Sequence, residues 1–305
     1  MLYNMRNTKI HTLLFAFLGV ILFTSCEDKI DVELDDAEAI VVIDAFLTDV
    51  PGAAQEITVT RSQSYFDSSF PEPITDAFVS ISVGSDILIN FEYIDGKYIW
   101  QPNSGESLAD FAQPYVLNVQ LGDVVYSATD SLKRTPQIDE IRQEVREDEI
   151  GSVDGGIYCE VIARDELGKG DTYWIKTFKN GVFLNRPEEI NLAFDGGFDQ
   201  GAQSDGLIFI PPIRELVNPF PDSTEVADDI SPWAVGDQCR VEIHSISNST
   251  FAFLEIVRDQ LLNGQNGIFA EPLANAPSNI SASDGSTVLG AFNVAKVSSL
   301  EVVIE

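Results

Sequence analysis

The chain has 305 residues, of which 49 are acidic and 18 are basic, so its formal net charge is −31. A protein that binds nucleic acid needs a basic face for the phosphates, and this composition argues against that class of partner. Hydrophobic residues make up 44% of the chain and aromatic residues 10%. That content is sufficient for packed cores, and the length favours two folded domains.

Residues 1–25 have the pattern of a secretory signal peptide. Arg6 and Lys9 form a short basic region, and an apolar run follows from Leu13 to Phe23. A helix that crosses a membrane needs about 20 apolar residues, roughly twice this length, so we expect cleavage. The apolar run, two small residues and then Cys26 resemble a bacterial lipobox. Cys26 is therefore predicted to be the lipidated N-terminus of the mature protein.

Residues 26–38 form an acidic segment in which Lys29 is the only basic residue. Like charges extend a linker, so this segment is predicted to be a solvated tether that holds the folded part away from an anionic surface. A second interpretation is that CEDK resembles the acidic signal that directs some Gram-negative lipoproteins to the outer face of the outer membrane. We therefore predict a lipid anchor in the outer membrane, with the protein facing the cell exterior.

From Ala39 onwards, one strand pattern follows another. Apolar and polar residues alternate, or short apolar runs lie between turn residues. Asp95-Gly96 lies between two such patterns and predicts a type I′ hairpin, because both positions of that turn need a positive φ. Roughly seven strands in about 95 residues predict an immunoglobulin-like β-sandwich over residues 39–134. The strand patterns are AIVVIDAFLT, EITVT, DAFVSISV, ILINFEYIDGKYIW and YVLNVQLGDVVYSAT.

Near Pro136 the alternation stops, which predicts a second, β-rich domain over residues 135–305. Its first segment is ambiguous. Ile138, Ile141 and Val145 have helical spacing among good helix formers, but a strand that enters the second domain is equally plausible.

A hairpin and one helix are predicted inside this second domain. Asn180-Gly181 is a hairpin signal between two strand patterns. The run FAFLEIVRDQLLNG follows capping residues in SISNST, and this order predicts one amphipathic helix that ends at Gly264. An apolar stripe of this kind usually packs on its own domain, so we expect this helix to cover part of a core.

A long stretch between Asp195 and Asp237 is rich in glycine, proline and aspartate. Connections of this length are usually functional or disordered, so this stretch is a candidate interaction surface. Phe220 and Trp233 are the side chains that we expect to contact a partner, because aromatic residues are enriched at interface cores. For Trp233, packing inside the domain is an equally good interpretation.

Cys159 and Cys239 are the two cysteines that follow Cys26. Each alternates with apolar residues in a strand pattern, so both thiols are predicted to point inward. An oxidising compartment permits a disulfide between them, whereas a buried free cysteine behaves as a small hydrophobic residue. Both alternatives stay open.

Catalytic motifs are absent from the sequence. His244 is the only histidine after the signal peptide, and it alternates opposite Cys239, which predicts the polar, exposed face of a strand. The sequence has no serine-nucleophile elbow, zinc-ligand spacing or phosphate loop. We therefore predict no enzyme, no cofactor and no metal site. Hydrolysis by paired carboxylates is the less favoured interpretation.

Three acidic residues after the second hairpin are loosely reminiscent of a calcium loop. Asp195, Asp199 and Asp205 lie in DGGFDQGAQSDG, but the ligand spacing and the terminal glutamate of an EF-hand are missing. This segment is therefore a weak calcium candidate.

Several of these features together resemble a known family. The lipobox, the acidic tether, AIVVIDAFLT, PITDAFVSISV before DGKYIW, and STVLGAFNV are similar to the domain-of-unknown-function family numbered 4249. Its members are lipoproteins of Gram-negative bacteria that tend to be encoded beside TonB-dependent outer-membrane transporters. The resemblance implies a non-catalytic accessory role in nutrient uptake, with such a transporter as partner. A surface adhesin or glycan-binding module is the alternative.

Overall fold

The computed structural model describes residues 38–64, 67, 69–110, 114–147, 155–221, 232–264 and 275–305, and within them the fold is mainly β. Cys26, the predicted signal peptide and residues 26–37 of the predicted tether lie outside the described residues. None of the helices in the described ranges has the length and apolar content needed to cross a membrane. From Ala39 to Glu305 the described chain forms one compact unit.

The described residues of this unit form sixteen strands and two α-helices. Short 3₁₀ turns occur at Leu108–Asp110 and Pro187–Glu189. The helices are α1 (Pro211–Glu215) and α2 (Asn248–Gly264). The strands are β1 (Val41–Thr48), β2 (Gln55–Arg61), β3 (Phe78–Val83), β4 (Ile87–Ile94), β5 (Lys97–Trp100), β6 (Tyr115–Leu121), β7 (Val124–Asp130), β8 (Ile138–Arg146), β9 (Gly156–Ala163), β10 (Thr172–Lys179), β11 (Val182–Phe183), β12 (Asn191–Phe194), β13 (Gln238–Ile246), β14 (Ser281–Ala282), β15 (Val288–Ala295) and β16 (Val297–Val303).

Nine strands form one continuous sheet in the order β14-β7-β6-β3-β4-β5-β2-β1-β15. The sheet curls around its own core, since Ile43 of β1 and Leu117 of β6 are fully buried in the same cluster. Its two ends approach each other where the amide of Val294 in β15 donates a hydrogen bond of 2.8 Å to Asp130 at the end of β7. The predicted sandwich of two sheets is therefore replaced by a single curled sheet, because β5 pairs with both β4 and β2.

The first described strand, β1, pairs with β15, which is the last strand but one. β1 and β15 run parallel, with Ile43 opposite Gly290. Gly290 has a φ of +93°, and a Cβ at this position would overlap the main chain of Ile43. Strands β14 and β15, which lie in the segment predicted as a separate C-terminal domain, thus belong to the same sheet as the N-terminal strands.

A second sheet has the order β11-β10-β13-β16, with β12 also paired to β10. Its inner face packs against the two-stranded sheet β8-β9 and against α1, and the shared core contains Cys159, Tyr173 and Val241. Residues 138–146 form strand β8, because this segment pairs with β9. The strand interpretation of this ambiguous segment is therefore confirmed, and the helical one is wrong.

Local signals for the hairpins and the helix are confirmed. Asp95-Gly96 and Asn180-Gly181 both have positive φ values and connect paired strands. Helix α2 begins at Asn248, where the Ser247 hydroxyl accepts a hydrogen bond of 3.1 Å from the amide of Thr250. The buried apolar side chains of α2 pack against those of β12 and β13; they are Phe251 and Leu254.

Candidate functional site

A pocket of about 530 Å³ lies between the outer face of the nine-stranded sheet, strand β10 and helix α2. Its volume is in the range of pockets that bind small molecules. We call it the Lys176 pocket and define it by Asp44, Phe46, Trp174, Lys176 and Phe253. It exists because the outward side chains of β1 meet those of β10 across a gap that α2 closes on one side.

Aromatic side chains from three elements form the apolar walls of the Lys176 pocket. Phe46 of β1 and Trp174 of β10 meet edge to face, with ring centroids 5.6 Å apart. Phe253 and Val257 extend the wall from α2. These rings and the aliphatic residue offer contact area to the apolar part of a ligand.

Two opposite charges, on Asp44 and Lys176, face the interior of this pocket. Within the described part of the chain, neither side chain forms a hydrogen bond or an ion pair. The Lys176 ammonium lies 3.9 Å from the centroid of the Trp174 ring and 5.6 Å from that of Phe183. Contact with the face of an aromatic ring stabilises the cation but leaves its hydrogen-bond donors free.

Enclosure by the protein shifts the pKa of both charged groups. Burial lowers the pKa of Lys176 to about 8, and the negative charge of Asp44 partly opposes that change. Asp44 is accessible from the pocket, but the surrounding protein raises its pKa, while Lys176 and then Lys97 act in the opposite direction. Both pKa shifts therefore favour the neutral form of the group.

At the mouth of the pocket, Lys97 and Glu56 form an ion pair with each other. Lys97 of β5 donates a hydrogen bond of 2.5 Å to Glu56 of β2, and about half of each side chain is exposed. Such a surface pair contributes little to stability.

His244 lies behind the pocket wall, in β13 and opposite Trp174 of β10. It is only 6% exposed, and its Nε2 is 2.9 Å from Glu242. Burial, with the positive charges of Lys176 and Arg240, holds the pKa of His244 well below its usual value. The expectation of an exposed histidine is wrong, because neighbouring elements cover the polar face of this strand.

A second cluster of charged groups joins the ends of β9, β10 and β12. Asp165, Asp171 and Asp195 each place a carboxylate oxygen within 4.8 Å of the others. The predicted calcium loop of Asp195, Asp199 and Asp205 does not form a cluster of this kind. The Asp199 carboxylate accepts a hydrogen bond from the amide of Gly201, and the Asp205 carboxylate accepts one from the amide of Gly168.

Each carboxylate of the cluster already has donors from the protein. Arg134 forms a two-point ion pair with Asp171, with contacts of 3.0 Å and 2.6 Å. The Tyr173 hydroxyl donates a hydrogen bond of 2.7 Å to Asp165, and two backbone amides donate to Asp195. Burial raises the pKa of Asp165, the hydrogen bonds from Tyr173 and from the Gly206 amide partly oppose this rise, and the charges of Asp171 and Asp195 add to it. The cluster thus fastens together three strand ends.

The two aromatic residues that are predicted to contact a partner differ in their exposure. Trp233 is 1% exposed, belongs to the core of the second sheet, and donates a hydrogen bond of 3.0 Å to Asn218. It therefore packs inside the domain, as the alternative interpretation had it. Phe220 is 49% exposed and retains surface that a partner can reach.

Cys159 and Cys239 are both fully buried, in the same core. They are free thiols joined by a side-chain hydrogen bond, so their sulfur atoms are neighbours. This hydrogen bond, followed by burial, raises the pKa of Cys239. Both thiols point inward as predicted, and the disulfide stays a prediction.

Sequence reasoning did not identify the Lys176 pocket. A signal was present, because Asp44 interrupts the apolar run AIVVIDAFLT and Lys176 interrupts TYWIKTF. A charge within a strand that is covered on both faces needs a partner or a cavity. Asp44 and Lys176 are far apart in the sequence, so neither strand pattern shows that the two charges line the same pocket.

The family model described as "Domain of unknown function (DUF4249)" matches residues 27–301. Among curated proteins, no match was found.

Proposed function

The chain belongs to the family described as Domain of unknown function (DUF4249), and from this premise and the Lys176 pocket we propose that it is a non-catalytic surface lipoprotein that binds a nutrient. In this proposal, Cys26 carries the lipid anchor in the outer membrane and the partner is a TonB-dependent transporter. The observation that carries the proposal is a pocket of about 530 Å³ with two charges that lack partners. Such a pocket fits the retention of a small molecule.

The composition of the pocket favours binding over chemistry. Among the described residues, its lining includes no serine, cysteine or histidine that would serve as nucleophile or base. His244 lies outside the lining and its protonated form is disfavoured. Asp44 and Lys176 are suited to hold opposite charges of a ligand.

Anchoring supports a role beside a transporter. A lipid on Cys26 would confine the protein to the membrane that contains such transporters and raise its effective concentration there. The acidic tether would give the folded part freedom to reach its partner. The curled sheet, in the place of the predicted immunoglobulin-like module, would be the rigid scaffold, and the exposed Phe220 is a candidate contact.

Purification of the tagged protein from native outer membranes in a mild detergent tests this proposal. We expect a TonB-dependent transporter to co-purify, and a Cys26→Ala variant to lose both the membrane anchor and the transporter. A Lys176→Met variant should stay anchored and keep the transporter, yet reduce nutrient uptake. The Arg142→Gln variant, which alters an exposed ion pair outside the pocket lining, is the matched control for uptake.

Two outcomes would contradict the proposal. If no transporter co-purifies while complexes of other lipoproteins survive the same conditions, the partner is wrong. If cells that lack the transporter still adhere to glycans through this protein, the adhesin interpretation replaces it.

A further inference from the structure

The Lys176 pocket contains equal numbers of acidic and basic side chains, and this balance restricts what it can hold. Asp44 and Glu56 contribute negative charge, and Lys97 and Lys176 contribute positive charge. A purely anionic ligand would meet the two carboxylates, and a purely cationic ligand would meet the two ammonium groups. A ligand with one charge of each sign suits the pocket best.

The positions of the four charged side chains also favour a ligand with one charge of each sign. Glu56 and Lys97 pair with each other at the mouth, so the charges open to a ligand are Asp44 and Lys176. These two do not form an ion pair with each other within the described structure. An ammonium group beside Asp44 and a carboxylate beside Lys176 would complete the hydrogen bonds that both side chains lack.

The uncharged side chains that line the pocket indicate the chemical character of the rest of the ligand. Phe46, Trp174 and Phe253 are aromatic, and Leu254 and Val257 are aliphatic. An apolar body of the ligand gains contact area against these side chains. One face of the Trp174 ring already carries the Lys176 ammonium, which reduces the area open to a stacked sugar ring.

We infer that the Lys176 pocket binds a zwitterion with an apolar body, of the class of apolar amino acids and short peptides, with its ammonium group at Asp44 and its carboxylate at Lys176. This inference rests on the proposed function in that it takes the pocket to be the nutrient site. It adds the chemical class of the ligand and the orientation in which the ligand lies.

Calorimetric titration of the full-length lipoprotein in nanodiscs with the dipeptide phenylalanylleucine tests the inference. We expect saturable binding that weakens by about tenfold to a hundredfold when the dipeptide is N-acetylated or C-amidated, because each cap removes one charge-assisted hydrogen bond. The variants should show matching losses. Asp44→Asn should weaken the parent dipeptide but not the acetylated form, and Lys176→Met should weaken the parent but not the amidated form.

Controls separate a lost contact from a lost fold. Glu140→Gln and Arg142→Gln should leave binding within about twofold, since these side chains form an exposed ion pair outside the pocket lining. Thermal unfolding of all four variants shows whether each is folded, and Asp44→Asn keeps the size and shape of the side chain that faces the pocket.

The possible outcomes distinguish this inference from the proposed function. If the capped and parent dipeptides bind equally, or if no zwitterion binds while a transporter still co-purifies, the ligand class is overturned and the transporter role stands. If the dipeptide binds with the expected pattern but no transporter co-purifies, the ligand class stands and the transporter role fails.

Discussion

Gly290 lies directly against the carbonyl group of Ile43, in the parallel pair that joins β15 to β1. No other residue type fits there, because any Cβ would overlap the Ile43 main chain and the φ of +93° already disfavours side chains. Gly290 also lines the Lys176 pocket. Gly290 therefore lets β15 pair closely with β1 and also forms part of the wall of the Lys176 pocket.

Replacement of this glycine should be costly. We expect Gly290→Ala to lower the free energy of unfolding by about 3 kcal/mol or more, since β15 must move away from β1. Gly96→Ala is the matched control, because Gly96 has a φ of +90° with open space around its Cβ position, and it should cost only about 1 kcal/mol. Urea denaturation measures both. Equal losses would mean that the strand contact is unimportant.

The shifted pKa of Lys176 predicts a dependence of stability on pH. Between pH 8 and pH 10.5 the folded state has released a proton that the unfolded state still binds, so the free energy of unfolding should rise with pH in this range. The groups that face Lys176 are Asp44 from β1, Lys97 across the pocket, and the side chains of β13, namely Arg240, Glu242 and His244. Burial holds the pKa of His244 well below its usual value, so this group stays neutral over the range.

Comparison with a Lys176→Met variant isolates this effect. The wild-type protein should gain about 2 kcal/mol of unfolding free energy relative to the variant as the pH rises through this range. Urea denaturation at both ends of the range provides the measurement. Parallel pH profiles of the two proteins would show that the Lys176 ammonium is as well solvated when folded as when unfolded.

Arg134 should be the main stabiliser of the carboxylate cluster. We expect Arg134→Gln to lower the free energy of unfolding by about 2 kcal/mol at neutral pH, because Asp165, Asp171 and Asp195 would then repel one another. The loss should be smaller in acid, because burial raises the pKa of Asp165 and this carboxyl then takes up a proton more readily. Arg142→Gln is the control, since Arg142 forms an ion pair with Glu140 in which both side chains are 52% exposed, and it should cost less than about 0.5 kcal/mol.

The neighbouring thiols of Cys159 and Cys239 should form a disulfide when the protein is oxidised. Refolding with a mixture of reduced and oxidised glutathione, which reaches the thiols before they are buried, should leave neither thiol open to alkylation after denaturation. It should also raise the free energy of unfolding by about 4 kcal/mol, because the bond closes a long loop. Mass spectrometry without reductant and urea denaturation measure the two effects. Persistent alkylation of both cysteines would show that they stay free thiols in the core.

Local features of this fold could be predicted from the sequence, because their causes are local. Asp95-Gly96 and Asn180-Gly181 supply the positive φ values that tight hairpins need. The apolar spacing and the capping residues of α2 likewise lie within one segment. In contrast, the partner of β8 decided between two interpretations of residues 138–145, and that partner is a separate strand.

Features that depend on distant segments could not be predicted. The alternation of His244 with Cys239 indicated the correct face of β13, but no pattern in the strand shows what covers that face. The same holds for the Lys176 pocket, because Asp44 and Lys176 come from strands of two different sheets. The pairing of STVLGAFNV with β1 is likewise a property of the whole chain.

The pairing of β1 with β15 also determines when this protein is able to fold. Val41 is among the first residues of the compact unit to leave the ribosome, and its partner Val288 is among the last. The edge of β1 therefore stays open until synthesis is nearly complete, and such long-range pairing makes folding slow. A chain truncated before β15 would expose that edge to other chains and aggregate, so quality control during biogenesis has to act on a nearly complete polypeptide.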